Sequence, residues 1–117
     1  MQKLIVLVIE SSDILFFSGF KELLNNERLE IIRVSTSEEG EKKFLENHEK
    51  INLIIMGDCS TSDLMCLVKK IVKSGFDKPI IASSSYSHSS VKLKEVGATH
   101  FSYKEDVAQM AIKLLEL

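Results

Sequence analysis

Asn52-Leu53-Ile54-Ile55-Met56-Gly57-Asp58-Cys59 decides the reading of the chain. Its apolar residues run without alternation and stop abruptly at Gly57-Asp58. An uninterrupted apolar strand suits the middle of a parallel sheet covered by helices on both faces. In such sheets ligands and chemistry sit outside the carboxyl ends of the strands. Gly57 and Asp58 therefore stand where a site is expected.

Further strands flank this one at regular intervals. Upstream, Leu4–Ile9 is a six-residue apolar run rich in β-branched side chains, closed by Glu10-Ser11-Ser12-Asp13. A helix is expected from Ile14 to Leu24, with Ile14, Phe17, Phe20 and Leu24 as its apolar stripe, widened by Phe16 and Leu23. Leu29–Val34 is a more polar strand, placed near the sheet edge. Ser35 and Glu38 fit a capping box ahead of a helix running to about His48, with Phe44 and Leu45 as a thin apolar face. Downstream, Leu64, Leu67, Val68 and Ile71 predict a helix to about Lys73. Ile80–Ser83 is a short strand. Residues 83–90 hold six serines and read as a loop entering a weak helix, Val91–Val96, stopped by Gly97. Thr99–Ser102 is the fifth strand. Glu105 or Asp106 starts a last helix with Val107, Met110, Ala111, Leu114 and Leu115 buried. Five βα units in alternation predict an α/β fold with a parallel sheet and right-handed crossovers.

Composition narrows the class. The chain has 117 residues, 44% hydrophobic and 27% charged, which suits one soluble domain over 1–117. A net charge of −2 gives no global attraction for nucleic acid or an anionic membrane. No apolar run reaches the roughly 18 residues that span a bilayer. Cys59 and Cys66 are too few for a disulfide framework, so a reducing cytoplasm is the expected location. His48, His88 and His100 are not spaced as a metal cluster, and residues 38–49 read as a solvated charged face.

Four local patterns resemble the receiver domain of bacterial response regulators, across the whole chain. They are Leu7–Ser12, Asn52–Met56, Pro79–Ser84 and Gly97–Lys104, the last being the most specific. The resemblance implies a flavodoxin-like, doubly wound five-stranded sheet of order 2-1-3-4-5, without an output domain. It implies two-component phosphorelay signalling, in which an aspartate takes phosphate from a histidine kinase with Mg²⁺ neutralising the charge. Residue by residue, Lys104 matches the phosphate-binding lysine, Ser84 the switch hydroxyl and Phe101 the switch aromatic. Glu10 matches the first acid of the metal-binding pair, and Ser11 replaces the second. In a gap-free register Gly57 stands at the acceptor position, with Asp58 one residue beyond. Glu105 replaces the proline that follows the lysine through a cis bond; at about 2.5–4 kcal/mol for a non-proline cis bond, a trans bond is expected.

Charge counting sets the expectation. The strict register leaves Glu10 as one pocket carboxylate, which beside Lys104 favours an ion pair over Mg²⁺. The expected function is an atypical pseudo-receiver, not an enzyme, acting by protein–protein contact. Its expected contact face is the fourth helix, fifth strand and fifth helix (Lys92, Glu95, Phe101, Tyr103, Gln109, Lys113), toward a partner or a second copy. The alternative is a phosphorylatable single-domain regulator, self-phosphorylating on Asp58, with Glu10 and Asp58 holding weakly bound Mg²⁺. A flavin- or nucleotide-binding enzyme on the same fold is disfavoured, because Glu10-Ser11-Ser12-Asp13 lacks a glycine-rich phosphate loop.

Overall fold

The computed structural model describes residues 3–117. Its five strands are β1 (Leu4–Ile9), β2 (Leu29–Val34), β3 (Ile51–Met56), β4 (Ile80–Ala82) and β5 (His100–Phe101). All pair in parallel, in the order β2-β1-β3-β4-β5. The expected order is thus borne out, with the mixed-polarity strand β2 at an edge.

Alternation along each strand feeds two cores. Leu7, Ile9, Ile54, Met56, Ile80 and Ala82 pack on one face with Phe44 of α3 (Ser37–Asn47), Leu64, Leu67, Val68 and Ile71 of α4 (Thr61–Lys73), and Leu93 of α5 (Ser87–Glu95). Val6, Val8, Leu53, Ile55 and Ile81 pack on the other. There they meet Phe16 of α1 (Asp13–Gly19), Leu23 of α2 (Lys21–Leu24), and Val107, Ala108 and Ala111 of α6 (Val107–Leu114). Covering both faces is what permits the apolar runs of β1 and β3.

Five details differ from the sequence expectation. The first helix breaks at Phe20, whose φ of −113° and ψ of 16° leave the helical region, so α1 and α2 are separate. Its core stripe is Phe16, Phe20 and Leu23, whereas Ile14, Phe17 and Leu24 are exposed. Both sets recur at helical spacing, so periodicity alone could not choose between them. The capping box lies one residue later than expected. Thr36 Oγ1 accepts from the Glu39 amide at 3.1 Å, and Glu39 Oε1 accepts from the Ser35 amide at 3.4 Å. Leu45, expected on the apolar face of α3, is exposed. Finally, the serine run is not a loop throughout: α5 begins at Ser87, and Ser83, Ser84 and Ser90 are buried.

Gly97 ends the α5 segment as expected. Its φ of +133° is open to glycine, and a Cβ there would lie 2.7 Å from Val72 Cγ2. Among the described residues no peptide bond is cis, so Lys104–Glu105 is trans as expected. No helix of the described residues is long and apolar enough to cross a membrane.

The stripe assignment has a direct test. Phe16→Ala should cost about 3–5 kcal/mol of unfolding free energy, as for a large core truncation. Phe17→Ala, one residue away, should stay within about 0.5 kcal/mol, as an exposed position does. Urea denaturation of the two variants reads both numbers.

Candidate functional site

The strands end in step. Beyond the ladders, Gly57 N donates to Ile9 O at 2.7 Å, Ser11 N to Asp58 O at 2.9 Å, Ser83 N to Met56 O at 2.8 Å and Ser102 N to Ala82 O at 3.1 Å. These bonds carry Glu10, Gly57, Asp58, Ser83 and Ser84 to one mouth at the carboxyl edge. Glu10 lies there fully buried.

A buried carboxylate must be paired and hydrogen-bonded to be tolerated. Glu10 Oε1 accepts from the Lys104 ammonium, and Oε2 accepts from the amides of Ser12 and Asp58, each at 3.2 Å. Lys104 is itself mostly buried, at 12% side-chain exposure. Its trans peptide therefore does not misdirect it. The main chain of Glu10 is pinned by Arg33, whose Nε and Nη2 donate to the Glu10 carbonyl at 3.0 and 2.7 Å. Arg33 also pairs with Asp13 at 2.6 Å and lies 5.0 Å from the centre of the Phe16 ring.

Gly57 explains how Glu10 reaches this place. A Cβ at position 57 would lie 2.5 Å from Glu10 Oε1 and 3.0 Å from the Ile9 carbonyl oxygen. The Glu10 carboxylate thus occupies the space into which a side chain at position 57 would project. The space above Gly57 is filled by Glu10, the residue that follows β1.

Asp58 also turns toward the mouth, though one residue along the chain. Its Oδ1 accepts from Ser84 Oγ at 3.0 Å and Ser85 N at 2.6 Å, and its Oδ2 from Ser85 Oγ at 2.6 Å. The Lys104 ammonium stands 3.9 Å from Oδ1. Burial works to raise the Asp58 pKa. The hydroxyl and amide of Ser85, the Lys104 charge and the Ser84 hydroxyl outweigh it, so the net shift is below the ordinary 3.8. Glu10, Lys104 and Asp58 converge, but on two separate sets of donors.

The other expected site residues take varied places. Ser84 is buried; its hydroxyl accepts from the Tyr86 amide at 3.1 Å, and its own amide donates to Ser90 Oγ at 3.1 Å. Ser11 is exposed and donates to the Asp58 carbonyl at 2.6 Å. Phe101 is half-buried, with its ring edge-on to Tyr103 at 5.1 Å. Gln109 bonds Glu22 on α2, so it is turned from the expected contact face toward the α2–α6 contact. Three participants escaped the sequence reading. Arg33 is signalled only as the one cation of the mixed-polarity strand β2, Ser85 only by its place in the serine run. The Thr61–Ser89 hydroxyl pair, 2.6 Å apart, has no local signal.

These residues do not fit Mg²⁺. The ion needs near-octahedral oxygen ligands with room for several waters. Glu10 is buried with both oxygens engaged, and both Asp58 oxygens already accept hydrogen bonds. Among the described residues no group of three or more His, Cys, Asp or Glu side chains could hold a metal.

No protein-family model and no curated protein matches this sequence. Its fold matches solved receiver domains over nearly the whole chain. A response regulator from Thermotoga maritima aligns with TM-score 0.72 and 20% identity, over 98% of this chain and 99% of that one. A response regulator receiver domain from Clostridium thermocellum aligns with TM-score 0.74 and 24% identity, over 97% and 92%. The receiver domain of a histidine kinase from Arabidopsis thaliana, complexed with Mg²⁺ and BeF₃⁻, aligns with TM-score 0.72 and 18% identity, over 97% and 90%. The chain has the flavodoxin-like fold of response regulator receiver domains.

Two outcomes follow from the geometry. Gly57→Ala should destabilise by about 1–3 kcal/mol, because its methyl meets a buried carboxylate and a carbonyl that cannot both yield; urea denaturation measures it. Asp58 has a folded pKa below its unfolded value, so its charge stabilises the fold above the unfolded value and that contribution disappears as pH falls through the folded one. The stability gap between the wild type and Asp58→Asn should therefore be widest near neutral pH and shrink as the pH falls below the ordinary aspartate value of 3.8.

Proposed function

We propose that this chain is an atypical receiver domain of two-component signalling, a pseudo-receiver that works by protein–protein contact without accepting phosphate. The observation that carries this reading is the filled acceptor position. Gly57 offers no nucleophile, and the Glu10 carboxylate, paired with Lys104, takes the space beside it. A nucleophilic carboxylate must also be free to turn an oxygen toward an incoming phosphoryl group. Asp58 has its oxygens committed to three donors. Phosphoryl transfer further requires charge neutralisation by a metal, and the two carboxylates leave no seat for one.

The contact face is formed by α5, β5 and α6. Tyr86, Val91 and Tyr103 expose large apolar surface there, beside Lys92, Glu95, Phe101 and Lys113. Exposed apolar side chains rimmed by charge fit a protein partner, a histidine kinase or a second copy of the chain among them. The basic and acidic residues are mixed, which does not favour nucleic acid. A nucleotide or flavin phosphate has no glycine-rich loop to sit on here, and the Ser84 and Ser85 donors at the mouth are already taken by Asp58.

One observation favours a second reading. Asp58 faces the mouth, 3.9 Å from the Lys104 ammonium, so a phosphorylatable Asp58 with Mg²⁺ is the rival. Incubation with acetyl phosphate and Mg²⁺, followed by intact-mass measurement, separates them. The expected result is no phosphoryl adduct, and no change in tyrosine fluorescence on adding beryllofluoride. An adduct mapped to Asp58 would establish the rival.

A further inference from the structure

Three donors converge on the Asp58 carboxylate, the Ser84 hydroxyl, the Ser85 amide and the Ser85 hydroxyl, and the Lys104 ammonium stands 3.9 Å away. An amide and two hydroxyls gathered on one carboxylate, with a cation nearby, make a cradle for an oxyanion. Here a side chain of the same protein fills it.

The donors belong to the segment that launches α5. Ser84 receives the Tyr86 amide on its hydroxyl and gives its own amide to Ser90 Oγ, inside the first turn of α5. Ser89, beside it, meets Thr61 at the start of α4. The helix has little else to hold that turn. No side chain caps its N-terminus, and Ser87, His88, Ser89 and Ser90 are indifferent helix formers. Tyr86 and Val91, at 73% and 54% exposure, are carried on this stretch.

We infer that the Asp58 carboxylate is a tethered anion. It fills the cradle from within and so fixes the β4–α5 connection and the first turn of α5. The surface presenting Tyr86 and Val91 is then set by a built-in charge and needs no external phosphoryl group. This deepens the pseudo-receiver reading by naming what stands in for the modification. An inorganic oxyanion should replace the carboxylate only where the carboxylate has been removed.

Amide hydrogen exchange on the full chain tests this, with Asp58→Ala and inorganic phosphate as the probe. A lost charge-assisted acceptor should speed exchange over residues 84–92 by about tenfold, while β1 and β3 keep their protection. Millimolar phosphate should restore the protection in Asp58→Ala, chloride at equal ionic strength should not, and neither should alter the wild type. Unchanged exchange over residues 84–92 would overturn the inference. So would a rise spread equally through β1 and β3, or a local rise that phosphate leaves in place. Should Asp58→Ala not fold, Asp58→Asn keeps the shape and removes the charge. Faster exchange confined to residues 84–92 then supports the inference, and wild-type behaviour overturns it. A phosphoryl adduct on wild-type Asp58 would overturn the pseudo-receiver reading by a separate measurement, leaving the exchange result to stand or fall by itself.

Discussion

The mouth of this sheet depends on a missing atom. Without a Cβ at Gly57, the Glu10 carboxylate can fold over β3 and reach Lys104. Once there it must be fully satisfied, because breaking a buried pair strands a charge at a cost of about 3–5 kcal/mol. The surroundings meet that demand: the amides of Ser12 and Asp58 take the second oxygen, and Arg33 holds the Glu10 carbonyl. Gly57, Glu10 and Lys104 thus form one unit from three elements. A larger side chain at position 57 displaces the carboxylate, and the displaced carboxylate leaves the lysine unpaired.

Two acids and one lysine share a small volume, and the structure separates the acids by assigning them different donors. Glu10 has the lysine and two main-chain amides. Asp58 has two serines and only the outer reach of the lysine. Asp58 links the sets, giving its amide to Glu10 and its carboxylate to the β4–α5 connection. This distribution keeps the two carboxylates on separate sets of donors. It also removes the unshared oxygens that a divalent cation needs.

Much of the fold was legible because doubly buried strands write themselves as apolar runs, and Leu4–Ile9 and Ile51–Met56 are such runs. The errors fell where two patterns had equal claim. In α1 and α2, two apolar stripes share the helical period, and only packing into the core with the sheet face of Val6, Val8, Leu53 and Ile55 and with α6 selects Phe16, Phe20 and Leu23. In residues 83–90 the serines resemble a loop by composition, yet Ser84 and Ser90 are buried because they bond each other. At the site, Glu10, Gly57, Asp58, Ser84 and Lys104 were all visible by residue type. The Glu10–Lys104 pair, 94 residues apart, was expected only through the resemblance that placed both in one pocket, whereas the bond from Arg33 to Glu10, over 23 residues, had no local pattern to announce it.

The one-residue offset between Gly57 and Asp58 shows the limit of a strand argument. Within a ladder, a shift by one residue turns a side chain to the opposite face. That reasoning would send Asp58 away from the mouth if Gly57 faced it. Yet β3 ends at Met56, and the Asp58 amide donates to a side-chain carboxylate, not to a neighbouring strand. Freed from the pleat on that side, Asp58 can aim at the end of β4, where Ser84 and Ser85 are waiting with their donors. The alternation rule therefore fails at the carboxyl ends of parallel strands, where the ladder gives way to loops. The same loss of regularity lets one edge hold a glycine with a filled cavity beside an aspartate with its own cradle.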